Sequence, residues 1–474
     1  MLSNCIRSFV VGVVFLSIPF QLFALDVGWE GYFRTRANYH YNLDLDRSKN
    51  PEIRAFADMR FRLNPTMYVT DKIRIRSSFN FFDGVLGKDP LRTRSYQNPA
   101  QTNDRALDPT ETEATVGRSV AGYNTSALGG AYSPDGLLDS QDLTPLQLRR
   151  VWGEFDIPYG TIKAGRMPNH WGMGIFANAG DDAWQEVGST RDRIMFDTSF
   201  GSYYVRPGVG WMVEGALDQS NDDFYEYFLM FGRKTENQDI GLFLSFNAQD
   251  EYNLPAGSGL NGAKSNFWAF DFYLSHQFER VRVQAEGALF SGKVVGKDLL
   301  AMNGALRADW RWTKLSLLTE AGYASGTAGS DAANNDLKSV AFSRDYDISM
   351  LVFEEAIPGG ATTYNSAGAA DGVATAPHSG AITNAIYARL KLGYDLADFF
   401  HPYLNVVVPM AAKKSFDMAG SFYGVEYNLI TLWPLNKYLT AEVSFAHFIP
   451  GSVYDRVSQS HTTILARGGL IAQF

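Results

Sequence analysis

Cysteine is almost missing from this chain. Cys5 is the only one among 474 residues, and it sits in a segment that reads as an export signal. The mature protein therefore has no thiol nucleophile, no disulfide and no thiolate metal site. Also absent after the first residues is any apolar run near the ~20 positions that a membrane-spanning helix needs. A membrane role would have to be carried by strands. Positive charge is short as well: 42 Lys and Arg stand against 51 Asp and Glu, a net of −9, which argues against a nucleic-acid partner. The seven histidines, His40, His170, His276, His378, His401, His447 and His461, show no metal-ligand spacing. Asp181-Asp182 near His170 is the best hydrolytic set on offer, too weak to expect an enzyme or a cofactor. Asp345-Tyr346-Asp347 and Asp139-Ser140-Gln141-Asp142 could hold calcium, but scattered loop carboxylates are usually only solvated.

What is present begins with Arg7 ahead of an apolar run, Ser8 to Phe23, closing on Ala24. That order of charge, grease and small residue predicts a signal peptide over 1–24. No linker or change of composition divides 25–474, so a single unit is expected. An exported, cysteine-free chain points to a bacterial envelope.

From Ala55 to Phe82 the sequence alternates at period two. Ala57, Met59, Phe61, Leu63, Met67 and Val69 share one side, and Asp58, Arg60, Arg62, Asn64 and Thr66 the other. After Thr70-Asp71 the pattern returns, with Ile73, Ile75, Phe79 and Phe81 against Arg74, Arg76, Ser78 and Asn80. This is a hairpin with a greasy side and an arginine side. One hairpin fits a soluble sandwich or a membrane barrel equally. Repeating the reading along the chain gives eighteen strands, with long insertions at about 83–144, 169–189 and 326–380. Every second connection is short: Thr70-Asp71, Pro158-Gly160, Gly201-Ser202, Thr235-Asn237, Glu279-Arg280, Thr313, Ala397-Phe399 and Pro434-Asn436. That parity is what an outer-membrane barrel has, with tight periplasmic turns and long outer loops. A soluble all-β protein has no reason to keep it. The predicted fold is an all-β transmembrane antiparallel barrel in the bacterial outer membrane.

The C-terminal strand closes on Phe474, with Ile464, Ala466, Gly468, Leu470 and Ala472 on one face. A terminal aromatic of this kind looks like the signal read by the barrel-assembly machinery. Trp29, Trp152, Trp268, Trp310, Trp312 and Trp433 lie toward strand ends, where an aromatic girdle meets lipid and lipopolysaccharide.

With the greasy face turned to lipid, the alternate side chains line a bore. One wall of it is basic: Arg34, Arg36, Arg60, Arg62, Arg74 and Arg76 on three consecutive strands, with Arg150 and Arg193 continuing it. Such a wall draws anions by field and by bidentate contact. It could equally be an ion-pair ladder, neutralised by Glu30, Asp58 and acidic loops folding inward. The stretch Gly160-Thr-Ile-Lys-Ala-Gly165-Arg166-Met-Pro-Asn169-His-Trp-Gly172-Met-Gly174, followed by Arg193-Ile-Met-Phe-Asp197, resembles the bacterial alginate-export family of outer-membrane barrels. The resemblance implies eighteen strands, a lumen of basic residues conducting an acidic polysaccharide, and roles for Gly165, Arg166 and Arg193. The expectation is a passive channel for anionic or sugar-like solutes. The alternative is a surface-binding or structural barrel plugged by its own loops.

Overall fold

Alternation at period two gives extended chain whose two sides differ, and such chain can leave water only if every backbone donor and acceptor is paired. Closure of the sheet on itself meets that demand. The computed structural model describes residues 26–43, 45, 51, 53–86, 144–186, 188–213, 223–249, 264–294, 296–327, 336–355, 357, 381–414, 418–455 and 462–474. The strands are β1 (Asp26–Tyr41), β2 (Ile53–Thr70), β3 (Ile73–Val85), β4 (Thr144–Ile157), β5 (Gly160–Pro168), β6 (Thr190–Phe200) and β7 (Tyr203–Val213). They continue with β8 (Phe224–Lys234), β9 (Gln238–Gln249), β10 (Ser265–Gln277), β11 (Val281–Val294), β12 (Lys297–Arg311), β13 (Leu315–Ala324) and the two-residue β14 (Asp336–Leu337). The last are β15 (Ala385–Tyr394), β16 (His401–Ala411), β17 (Gly424–Pro434), β18 (Leu439–Pro450) and β19 (Thr463–Gln473). Apart from β14, which runs parallel beside the start of β12, each strand pairs antiparallel with the next. β1 meets β19 from Tyr32↔Gln473 to Tyr41↔Ile464 and shuts the ring. Main-chain bonds between Gly31 and Phe474 in both directions pin the foot of that seam. Eighteen staves thus form a closed barrel, as the alternation predicts.

The outward face is apolar over most of the wall, with Leu306, Leu429, Val443 and Leu470 exposed there. Trp29, Tyr159, Tyr203, Phe278, Trp312 and Tyr438 crowd the ends with the short turns. Trp152 is no girdle residue: its indole NH donates to Glu154 Oε1 at 3.0 Å, on the inward side of β4. The hairpin alternation is interrupted by irregularities at Met59/Phe61 and Tyr68/Thr70, and β3 slips against β4 at Ser78/Phe79. The expected signal over 1–24, most of the loop 83–144 with Asp139 and Asp142, and much of 326–380 lie outside the described residues.

Inside, two segments between strands turn back into the barrel. Residues 169–189 join β5 to β6, and 336–357 precede β15. Trp171 and Phe176 from the first pack on an apolar inner wall made by Phe228 of β8, Phe243 of β9, Phe267 of β10 and Phe290 of β11. Ile348, Leu351 and Phe353 from the second pack with Tyr387, Tyr423, Phe448 and Leu465 on the opposite side. The rule that grease faces lipid and charge faces the bore therefore fails on β8 to β12. Phe267 and Ala269 point inward and are buried while Trp268 and Phe270 point outward. Both faces of β10 are covered, one by lipid and one by the inward segment.

Candidate functional site

The first inward segment owes its path to glycine and to one carboxylate. Gly172 has φ +54°, and a Cβ there would sit 2.5 Å from Glu286 Oε2. Only glycine lets the chain turn this close to that side chain. Glu286, on β11 and buried, accepts Phe176 N at 2.9 Å and also Met173 N. Trp171 Nε1 donates to Asp271 Oδ1 on β10 at 2.8 Å, and its ring lies 5.7 Å from that of Phe243. Burying large rings with their polar atoms satisfied fixes this end of the segment.

Its other end lies on the arginines. Arg34 donates to Ala183 O at 2.9 Å and to Glu186 Oε2 at 3.0 Å. Arg36 bonds Asp58 Oδ1 at 3.0 Å and closes on Glu186 Oε1. Arg60 reaches Asp83 at 2.7 Å and the Gln185 and Glu186 carbonyls, both at 3.0 Å. Arg62 donates to Asn80 at 2.9 Å and to Gly180 O at 2.8 Å. Arg150 holds Asp181 at 2.5 Å together with Ala179 O, and Arg193 holds Asn169 Oδ1 at 2.7 Å. Five of these partners are backbone carbonyls. A carbonyl satisfies a donor without cancelling a charge. Seven guanidiniums, Arg34, Arg36, Arg60, Arg62, Arg149, Arg150 and Arg467, gather here; Asp58, Asp83, Asp181 and Glu186 pair with members of the group, and Glu355 and Glu442 act on Arg467. Burial by itself would raise the Glu186 carboxyl, but Arg34, Arg36 and Arg60 hold it well below the usual carboxylate range.

The second inward segment uses the same devices. Glu426 of β17 accepts Met350 N at 2.7 Å, Leu351 N at 3.0 Å and Val352 N at 2.7 Å. Glu320 of β13 takes Arg307, Tyr346 and Tyr387, and Asn405 donates to Ile348 O at 2.9 Å. Asp345 ties the two segments together, accepting Glu186 N at 2.9 Å and also Gly188 N. Its carboxylate thus serves the backbone. Asp347 faces the water of the bore. Enclosure by protein and the neighbouring Asp345 and Glu186 push it up to about 8, against a hydrogen bond with Glu354 that lowers it. Burial and Asp347 raise Glu354 likewise.

The arginines expected as one wall fall into separate groups. Arg34 faces Arg60 and Arg36 faces Asp58 across β1 and β2, with Arg62 one pair lower. Arg74 and Arg76 sit opposite Tyr68 and Thr66, near the periplasmic turn, and pair there with Glu154 and Asp156. The antiparallel hairpin puts them at another depth. Glu30 lies exposed at the foot of β1, away from the wall it was expected to neutralise. Arg193 is buried inside, but Arg166 leaves the bore: it pairs with Asp192 at 2.7 Å on the outer side of β5 and β6, beside exposed Val151 and Ile194. Pleating decides it, since Lys163 points in and Arg166 is three residues on. Gly165, at φ +124°, passes against Val151 O, where a Cβ would collide. Arg149, Arg467 and the bracket Glu186 escape the sequence reading, and Asp345, a calcium candidate there, binds backbone amides instead. Arg467 shows in the alternation of β19, but nothing local marks a loop carboxylate that will meet a wall 150 residues away.

No protein-family model and no curated protein sequence matches the chain. Two solved outer-membrane β-barrel channels are similar in fold. OccAB4 of Acinetobacter baumannii is 10% identical, over 96% of this chain and 99% of that one, with a TM-score of 0.51. OpdL of Pseudomonas aeruginosa is 9% identical, over 95% and 98%, also with 0.51. At such identities the likeness is one of architecture. The fold is that of a bacterial outer-membrane barrel.

Proposed function

We propose that this protein is a passive outer-membrane channel for small anionic solutes, which cross beside the two inward segments. The guanidiniums of Arg34, Arg60, Arg62 and Arg150, bonded to backbone carbonyls of the first inward segment, carry the reading. Their charge is shared with carbonyls and so persists as a positive field, which a narrow low-dielectric passage focuses. Arg74 and Arg76, partly exposed at the periplasmic end, offset Glu154 and Asp156 and keep the exit from turning negative. An acidic polysaccharide has the same sign of charge. It suits this bore less well than a small solute, because both segments are fastened by buried rings and carboxylates and would have to stand aside for a polymer.

A chloride gradient across a planar bilayer tests the reading. The reversal potential is expected to favour chloride over potassium, and Arg74→Gln with Arg76→Gln to reduce that preference without touching the segments. A cation-selective unmodified pore would sink the proposal. The burial of Arg34, Arg62 and Arg150 favours a second reading, a barrel plugged by its own loops that binds a partner at the surface. That reading predicts no unitary current at all.

A further inference from the structure

The arginines under the first inward segment are bonded to it through Ala183 O, Gln185 O, Gly180 O and Ala179 O. An anion drawn by their field needs donors elsewhere to sit on. The inner wall on β13, β15 and β16 supplies them. Alternation on β15 turns Leu390 and Leu392 to lipid and brings Arg389 and Lys391 to the bore. Arg389 is engaged at the foot of the second segment: it donates to Asn405 Oδ1 at 2.8 Å and to Asp347 O at 3.3 Å, and lies 3.6 Å from Glu320. Lys391 is one inward position lower, near Tyr394 at the periplasmic end of β15. Its cross-strand neighbours are Leu318 and Asn405. Among the described residues, no carboxylate comes within ion-pair distance of its ammonium and no acceptor takes its protons. What holds it is the Tyr403 ring, whose centroid is 3.8 Å from Nζ. A ring face attracts a cation through its quadrupole and does not cancel the charge. The acid that acts on Lys391 is Asp309, which is shared with Arg282, Arg307 and Arg389. Glu442 of β18 and Asp182 of the first segment act on Tyr403. The ammonium is thus fixed in place with its donors open to the bore.

We propose, resting on the channel reading above, that Lys391 held on Tyr403 receives the anion as it leaves the constriction and sets the anion preference of the periplasmic half of the pore. An ammonium suits this role. Its three N–H donors serve a small oxyanion or halide from several directions, where a guanidinium fork favours a planar partner. One such contact is strong enough to admit an anion and weak enough to release it.

Cys5 is the only native cysteine and falls in the expected signal, so Lys391→Cys in the mature barrel carries a single thiol. Reversal potentials in a KCl gradient across a planar bilayer are measured for the unmodified pore, for Lys391→Gln, and for Lys391→Cys before and after labelling with 2-aminoethyl or 2-sulfonatoethyl methanethiosulfonate, each label confirmed by mass. The chloride-to-potassium permeability ratio is expected to fall about threefold in Lys391→Gln. In Lys391→Cys it should fall likewise, return when the aminoethyl group restores an ammonium, and drop further with the sulfonate. Labelling acts on a barrel already folded, so a structural loss would not be rescued by one label and deepened by the other. If the unmodified pore prefers chloride but the ratio is unchanged in Lys391→Gln, or is the same with either label, the role of Lys391 is overturned and the channel reading stands. An unmodified pore that prefers potassium or passes no current overturns both.

Discussion

The two sides of the bore hold the same segment by opposite physics. On β1 to β4 the inner surface is arginine, and the segment 169–189 lies on it through carbonyls and Glu186. On β8 to β11 the inner surface is phenylalanine, and the segment is packed there by Trp171 and Phe176. The apolar side is insensitive to salt and expensive to cavitate. The basic side is weaker per contact but supplies the field. Anchoring and selectivity are thereby separated: one wall fixes the obstruction, and the other decides what passes it.

The apolar anchor should give the largest effect when broken. Trp171→Ala together with Phe176→Ala removes two buried rings, each worth about 3–5 kcal/mol at a packed site. Single-channel conductance is expected to rise severalfold as the segment leaves the bore. Unchanged conductance would mean that the ion path avoids the segment.

A smaller effect should follow from the basic side. Glu186→Gln deletes the one carboxylate gripped by Arg34, Arg36 and Arg60 and should increase the chloride preference in 0.1 M salt. The gain should fade in 1 M KCl, where screening shortens from about 10 Å to about 3 Å. Because Glu186 is held below its ordinary 4.5, its contribution is complete above that value. It is lost only as pH falls through the depressed one. Acidification to pH 5 should therefore leave the unmodified selectivity in place, and a marked change there would show that Glu186 is not clamped.

The smallest effect concerns Asp347. With its carboxyl raised to about 8 in the fold, the second inward segment favours the protonated acid. Its stability declines as pH climbs from the ordinary carboxylate range through 8, when Asp347 ionises beside Asp345 and Glu354. Current noise is expected to grow above pH 8 and to be quieter in Asp347→Asn. Noise independent of pH in both proteins would count against the assignment.

Much of the barrel was legible because lipid reads a strand one side at a time. Ala57 to Val69 and Ile464 to Ala472 announce their outward faces by alternation, and the eight short turns announce the periplasmic side. On β10 the same rule misleads, since Phe267 and Phe270 look alike in sequence though one meets Trp171's neighbours and the other lipid. The basic wall is half legible: alternation turns Arg34, Arg36, Arg60 and Arg62 inward, but nothing local marks their partners. Arg166 differs because the pleat of β5, and not the motif that contains it, sets the face it occupies.

The sequence by itself determined that the chain crosses a bilayer in eighteen strands and which way it starts, because those depend on spacing between near neighbours. Only the tertiary structure decided what fills the ring. Whether a guanidinium faces water, a carboxylate or a carbonyl depends on where a distant segment lands, and that is set by the summed packing of the closed barrel.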